Sequence, residues 1–237
     1  MPPSRSYASV SSVLPMLAFS TCWNNSRHSD GEAMIEEILE QGVDTIELSH
    51  GMTVAKLPGI RRAFEAGMFR CCGVHNYFPS PTEVMIDAPD AYEFTSHRPH
   101  VRERALELTL RTLEIAAEFR AEYLVVHMGS DGLMPHSKWT KKLTTIQREG
   151  AGQSADYVAW KHKCVTRREK TGPRYFHRAI EALELLVEKA RECGVKLAVE
   201  SRSKYEDVPT EREMIALQEH FRDEEHIGYW HDFGHVQ

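Results

Sequence analysis

Apolar and polar positions along this chain follow two rhythms that take turns. Short, largely apolar runs at 17–22, 43–48, 72–75, 123–127, 195–200 and 227–232 have the length of strands. Between them the apolar residues recur at helical spacing. Met34, Ile35, Ile38 and Leu39 form a stripe after Ser29, which reads as an N-cap with Glu32 in the capping-box position, and Gly42 stops the helix. A short helix is expected over 55–66, closed by Gly67. Val101, Ala105, Leu108, Thr112, Ile115, Ala116 and Phe119 mark a long one. Phe176, Ile180, Leu183, Val187 and Ala190 mark the next, and Thr210 with Glu213 opens the last through another capping box. Strand, polar exit, amphipathic helix, strand is the pattern of a parallel sheet covered by helices.

Two segments break the rhythm. Residues 79–99 form a connection rich in proline and acid. Residues 131–172 form an insertion after the fourth strand, and it carries Lys138, Lys141, Lys142, Arg148, Lys161, Lys163, Arg167, Arg168 and Lys170. The insertion reads either as a solvated helical excursion or as a lid over the strand ends that attracts an anionic substrate such as a sugar phosphate. Residues 1–16 read as a loose tail, too polar for a signal-peptide core.

Composition narrows the classes. The chain has 237 residues with 41% hydrophobic content, enough for one large core, and 17–237 reads as one domain. A formal charge of −6 gives no basic footprint, so no nucleic-acid partner is expected. No apolar run approaches the length of a membrane span. The five cysteines are odd in number and lack C-x-x-C spacing, which favours reduced thiols and a cytoplasmic setting.

The chemistry gathers at the strand exits. His75 closes the third strand, His127 the fourth, Glu200 the fifth and Asp232 the sixth, with His235 three residues further on. Parallel α/β folds place their sites at the carboxyl ends of strands. Carboxylates and imidazoles brought together suit a divalent cation. Taken singly, Asp232 reads equally as a turn cap and Glu200 as a partner of Arg202. Gly234 is expected to turn the backbone so that Asp232 and His235 face one cavity. G-x-S-x-G, P-loop and G-x-G-x-x-G motifs are absent from the sequence, which leaves nucleophile and nucleotide readings unsupported.

The run 125–129 (Val-Val-His-Met-Gly), the run 198–200 (Ala-Val-Glu) and the run 232–235 (Asp-Phe-Gly-His) resemble the xylose-isomerase-like TIM barrels, the superfamily of sugar phosphate isomerases and epimerases that also holds apurinic-site endonucleases. The resemblance implies a (β/α)8 barrel with a divalent metal (Mn, Zn, Mg or Co) held by Glu200 and Asp232. It also implies that Glu200 is the proton acceptor, and that His235, His75, His127 and Arg202 face a carbohydrate substrate. In the endonuclease branch His75 and His127 align with metal ligands instead. The reaction implied is proton abstraction beside a carbonyl through a metal-stabilised enediolate. A metal-dependent phosphodiesterase and a non-catalytic carbohydrate-binding remnant are the alternatives. Six strands are legible where the family has eight, so a truncated barrel is expected, with its exposed edges favouring poor solubility or a homo-oligomer.

Overall fold

The computed structural model of the protein describes residues 17–84, 88–131 and 138–235. The expected tail lies outside these residues. Six parallel strands follow one another across a single sheet in chain order: β1 (Phe19–Ser20), β2 (Thr45–Leu48), β3 (Arg70–His75), β4 (Tyr123–Val126), β6 (Lys196–Glu200) and β8 (Ile227–Trp230). Two further short strands, β5 (Gly129–Ser130) and β7 (Asp207–Val208), pair antiparallel and latch the exits of β4 and β6 together. Helices α1 (Gly31–Leu39), α2 (Leu57–Glu65), α3 (Pro99–Glu118), α4 (Lys138–Ile146), α5 (Ala155–Cys193) and α6 (Glu211–His220) complete the chain.

Alternation along the strands sorts side chains between two faces. Ile46, Leu48, Val74, Leu124, Val126, Leu197 and Val199 join the helices in one apolar core. Glu47, His75 and Glu200 instead line a cavity on the opposite face. On that inner face Gly73 of β3 stands beside Tyr123 of β4. A Cβ at Gly73 would lie 2.1 Å from the Tyr123 ring, so the glycine is what lets the tyrosine lie across it. The Tyr123 hydroxyl then donates to Glu47 of β2, 3.2 Å away, and its ring tilts against Trp230 at 5.0 Å.

Several expected boundaries shift, each for a local reason. The first strand ends at Ser20, whose hydroxyl accepts from the Cys22 amide and starts a tight turn over Thr21–Trp23. The cap of α1 is Asp30 rather than Ser29. Its carboxylate accepts from the amides of Glu32 and Ala33 at 3.0 and 3.1 Å, and an acid at a helix start also suits the helix dipole. The Thr210–Glu213 capping box forms as expected. The insertion is not a separate body. From Ala155 onward it is the first half of α5, a helix of 39 residues that runs through Pro173 to Cys193. Arg168 of this extension, buried, pairs with Glu213 of α6 at 2.6 Å and donates to the Asp207 carbonyl, which anchors the extra turns.

Candidate functional site

The strand exits meet around one carboxylate. His127 Nε2 lies 2.6 Å and His75 Nε2 3.1 Å from Glu200 Oε2, while His235 Nδ1 lies 3.1 Å from Glu200 Oε1. Asp232 Oδ2 stands 3.3 Å from the same His235 nitrogen. The donor atoms of His75, His127 and Glu200 lie within 4.8 Å of one another, as do those of Glu200, Asp232 and His235. They open into a cavity of about 320 Å³ that Glu47, His50, Asp90, Arg202 and Trp230 also line.

Local backbone explains the convergence. Each residue closes its strand or follows it within a few positions, so parallel register alone brings them to one rim. Beyond β8, residues Phe233–His235 form a single tight turn in which the Gly234 amide donates to Asp232 Oδ1 at 2.6 Å. Gly234 therefore serves by close approach: its φ is ordinary, and a Cβ there would sit 3.0 Å from that oxygen. Ser201 completes the turn, its hydroxyl accepting from the Asp232 amide and its carbonyl from His235 Nδ1 at 2.8 Å.

The two inner imidazoles each meet an oxygen at both ring nitrogens. His75 Nδ1 faces the Asn76 carbonyl at 2.9 Å, and His127 Nδ1 faces Asp90 Oδ1 at 2.8 Å. Each ring thus has an oxygen at both nitrogens, although a neutral imidazole carries one proton. Either the rings are doubly protonated or the two Nε2 lone pairs and Glu200 would serve together as ligands for a cation. Burial is the largest influence on His75 and lowers its pKa, which disfavours the second proton there. Burial also pulls on His127, but its hydrogen bonds to Asp90 and Glu200 outweigh that and raise it. Burial would raise the Glu200 carboxyl, yet hydrogen bonds from His127 and His75 hold it well below the usual carboxylate range. An ionised carboxylate with two imidazole nitrogens, each ring steadied through its far nitrogen, is a donor set that fits zinc or manganese.

Arg202 departs from a simple pairing with Glu200. Its Nη2 donates to Asp90 Oδ2 at 2.8 Å, and its Nη1 lies 2.8 and 2.9 Å from the two ring nitrogens of His127. No described residue of 138–172 lines the cavity, so the lid expectation finds no support in these residues. Instead the insertion docks beside the rim: the Trp139 and Thr140 amides donate to Glu206, and Arg167 pairs with Asp131 at 2.9 Å. The Lys138 side chain and residues 132–137 lie outside the described set.

Among the acids and histidines that line the cavity, three escape the sequence reading. His50 follows β2 as His75 closes β3, and its ring meets that of His75 edge to face at 4.5 Å, so the strand-exit rule would have found it. Glu47 sits at an inner position of β2, where burial raises its pKa; an acid inside an apolar strand was the available signal. Asp90 comes from a connection without periodicity, and nothing in the sequence pointed to it.

A parallel sheet walled by helices, with imidazoles and carboxylates at its carboxyl rim, defines a metal-type site on a TIM-barrel scaffold. The chain belongs to the xylose isomerase-like TIM barrel family, whose profile matches residues 35–237. The same fold appears in a D-tagatose 3-epimerase-like protein at 18% identity and TM-score 0.59, covering 92% of this chain and 65% of that one. A 3-keto-D-glucoside 4-epimerase from E. coli shows it at 15% identity and TM-score 0.60, covering 93% of this chain and 69% of that protein. An L-ribulose 3-epimerase shows it at 16% identity and TM-score 0.60, covering 93% and 61%. The chain thus spans about two thirds of these proteins' lengths. No curated protein matches the sequence. Among the described residues no helix is long and apolar enough to cross a membrane.

Proposed function

We propose that the protein is a divalent-cation-dependent sugar isomerase or epimerase that acts on a carbon beside a carbonyl. The observation that carries this reading is the convergence of His75, His127, Glu200, Asp232 and His235 on one cavity at the strand carboxyl ends. Family membership and the epimerases among the structural neighbours favour a sugar over other carbonyl compounds.

When bound, the cation supplies a Lewis acid that polarises a carbonyl oxygen. His75 Nε2, His127 Nε2 and Glu200 would hold it, with Asp232 alongside. This moves the two histidines from the substrate's side, where the family resemblance first set them, to the cation's. Among the four carboxylates that line the cavity, Glu200 is the one assigned the proton transfer. Its Oε2 faces two imidazoles and its Oε1 faces His235 Nδ1 at 3.1 Å, so the oxygen on the His235 side is the one assigned to receive a proton. The depressed pKa makes it a strong ligand and a weak base. His235 keeps Nδ1 for the Ser201 carbonyl and turns the rest of its ring to the cavity, where it can hold a substrate hydroxyl. Glu47, Asp90, Glu200 and Asp232 line the cavity against a single arginine, Arg202, and no described residue of 138–172 lines it. A neutral polyhydroxylated sugar therefore suits it better than a phosphorylated one.

The test is to strip the protein of metal, reload it with Mn2+ or Zn2+, and incubate it with ketohexoses in D2O. Deuterium should enter at the carbon beside the carbonyl, read by NMR. A metal-loaded protein that promotes no such exchange on any ketose would sink the reading. One observation favours a second reading, phosphodiester hydrolysis: two donor groups share Glu200, an arrangement able to hold more than one cation. Cleavage of a duplex carrying an abasic site, without sugar exchange, would select it.

A further inference from the structure

We infer that Asp90 is a positioning residue for the cation site: it sets the His127 tautomer through Nδ1 and thereby couples docking of its own connection to cation binding. The inference rests on the cation reading above and adds to it a residue from outside the strand ends.

Asp90 belongs to the connection between β3 and α3, not to a strand. Its two oxygens have separate tasks. Oδ1 lies 2.8 Å from His127 Nδ1, and Oδ2 accepts from Arg202 Nη2 at 2.8 Å. With Nδ1–H given to Asp90, the His127 lone pair is on Nε2, the nitrogen that faces Glu200. Arg202 Nη1 is almost equidistant from both ring nitrogens, so the guanidinium lies over the ring and not in its plane. A cation on that face opposes a second proton on the imidazole.

His75 obtains the same tautomer from a backbone carbonyl, which moves only if the strand exit moves. Asp90 is different. Its side chain is 38% exposed, and it stays in place only while residues 88–98 stay docked. They are held by a few specific bonds. Thr95 Oγ1 donates to the Ser130 carbonyl at 2.6 Å and accepts from the Ser130 amide at 2.9 Å, and the Tyr77 hydroxyl donates to the Tyr92 carbonyl at 2.6 Å. If docking of this connection strengthens cation binding, cation binding must strengthen docking by the same factor.

The full chain, freed of metal, is titrated with Zn2+ against a competing chelator. Asp90→Ala should weaken zinc binding by about 10–100-fold, and Asp90→Asn by less, because its amide oxygen can still accept from Nδ1–H. In the metal-free protein, at a pH high enough for His127 to have lost its second proton, the ring 15N signals should report the Nδ1–H form in the wild type and move toward the other tautomer in Asp90→Ala. Zinc should slow amide exchange across residues 88–98 in the wild type and not in that variant. If Asp90→Ala fails to fold, the Asn variant supplies the same three readouts with smaller shifts. Wild-type zinc affinity and an unchanged His127 ring in folded variants would overturn this inference alone. A wild-type chain that takes up no zinc would overturn the cation reading and this inference together.

Discussion

On one side of Glu200 the side chains of His75 and His127 are 10% and 8% exposed; on the other, Asp232 and His235 are 36% and 27% exposed. The difference extends to which nitrogen faces the carboxylate. The inner rings present Nε2 and spend Nδ1 on Asn76 and Asp90. His235 presents Nδ1, the nitrogen that also meets the Ser201 carbonyl, so toward Glu200 and Asp232 it offers a proton and not a lone pair. On the proposed reading the inner group holds a cation and the outer group meets hydroxyls of a substrate. Burial and second-partner bonding, more than the mere presence of His and Asp, distinguish the two.

Glu200→Gln tests both sides at once and should have the largest effect. It keeps the shape but removes the charge that both groups share, so zinc affinity should fall by more than the roughly 100-fold upper end expected for losing an outer partner. Equilibrium dialysis on the folded variant reads it, and near-normal zinc content would break the comparison. Next comes the pair His127→Ala and Asp232→Ala. The first should weaken zinc binding far more than the second, for which about tenfold or less is expected. An inverted order would make the outer group the cation site.

The smallest effect is on pH dependence. In the metal-free protein the raised His127 pKa means the folded state keeps a proton that the unfolded chain releases. That contribution is whole below about pH 6.5 and is lost as pH rises through the higher folded value. His75, with a lowered pKa, is neutral in both states above about 6.5 and drops out of this window. Glu200, its pKa depressed, contributes throughout the window, since its loss begins only as pH falls through its folded value. Zinc binding instead requires the His127 proton to leave. From about pH 6.5 upward, the melting temperature with chelator should therefore decline while the increment given by zinc grows. Parallel curves with and without zinc would show that His127 takes no part.

Strand order and the strand-exit residues were legible because both rest on short-range periodicity: a run of apolar residues ends, and the next polar side chain lies at the rim. His75, His127, Glu200 and Asp232 came from that rule alone. What it could not supply was the pairing of partners distant in the chain. Asp90 contacts Arg202 across 112 positions, and no local pattern encodes that meeting. The α5 extension was misread for a related reason. Gly172 and Pro173 look like a helix break, but Arg168 pairs with Glu213 one turn earlier and holds the helix through them. The β5–β7 latch, two residues on each side, is too short to leave a periodic trace.

Gly73 and Tyr123 stand 50 positions apart in the chain, yet with 2.1 Å between a hypothetical Cβ and the ring, a side chain at 73 would force the tyrosine to move. A methyl group at the first position would displace the ring at the second, and with it the hydroxyl that Glu47 receives. A glycine with no side chain of its own is thus what keeps an acid tethered beneath the rim of the site.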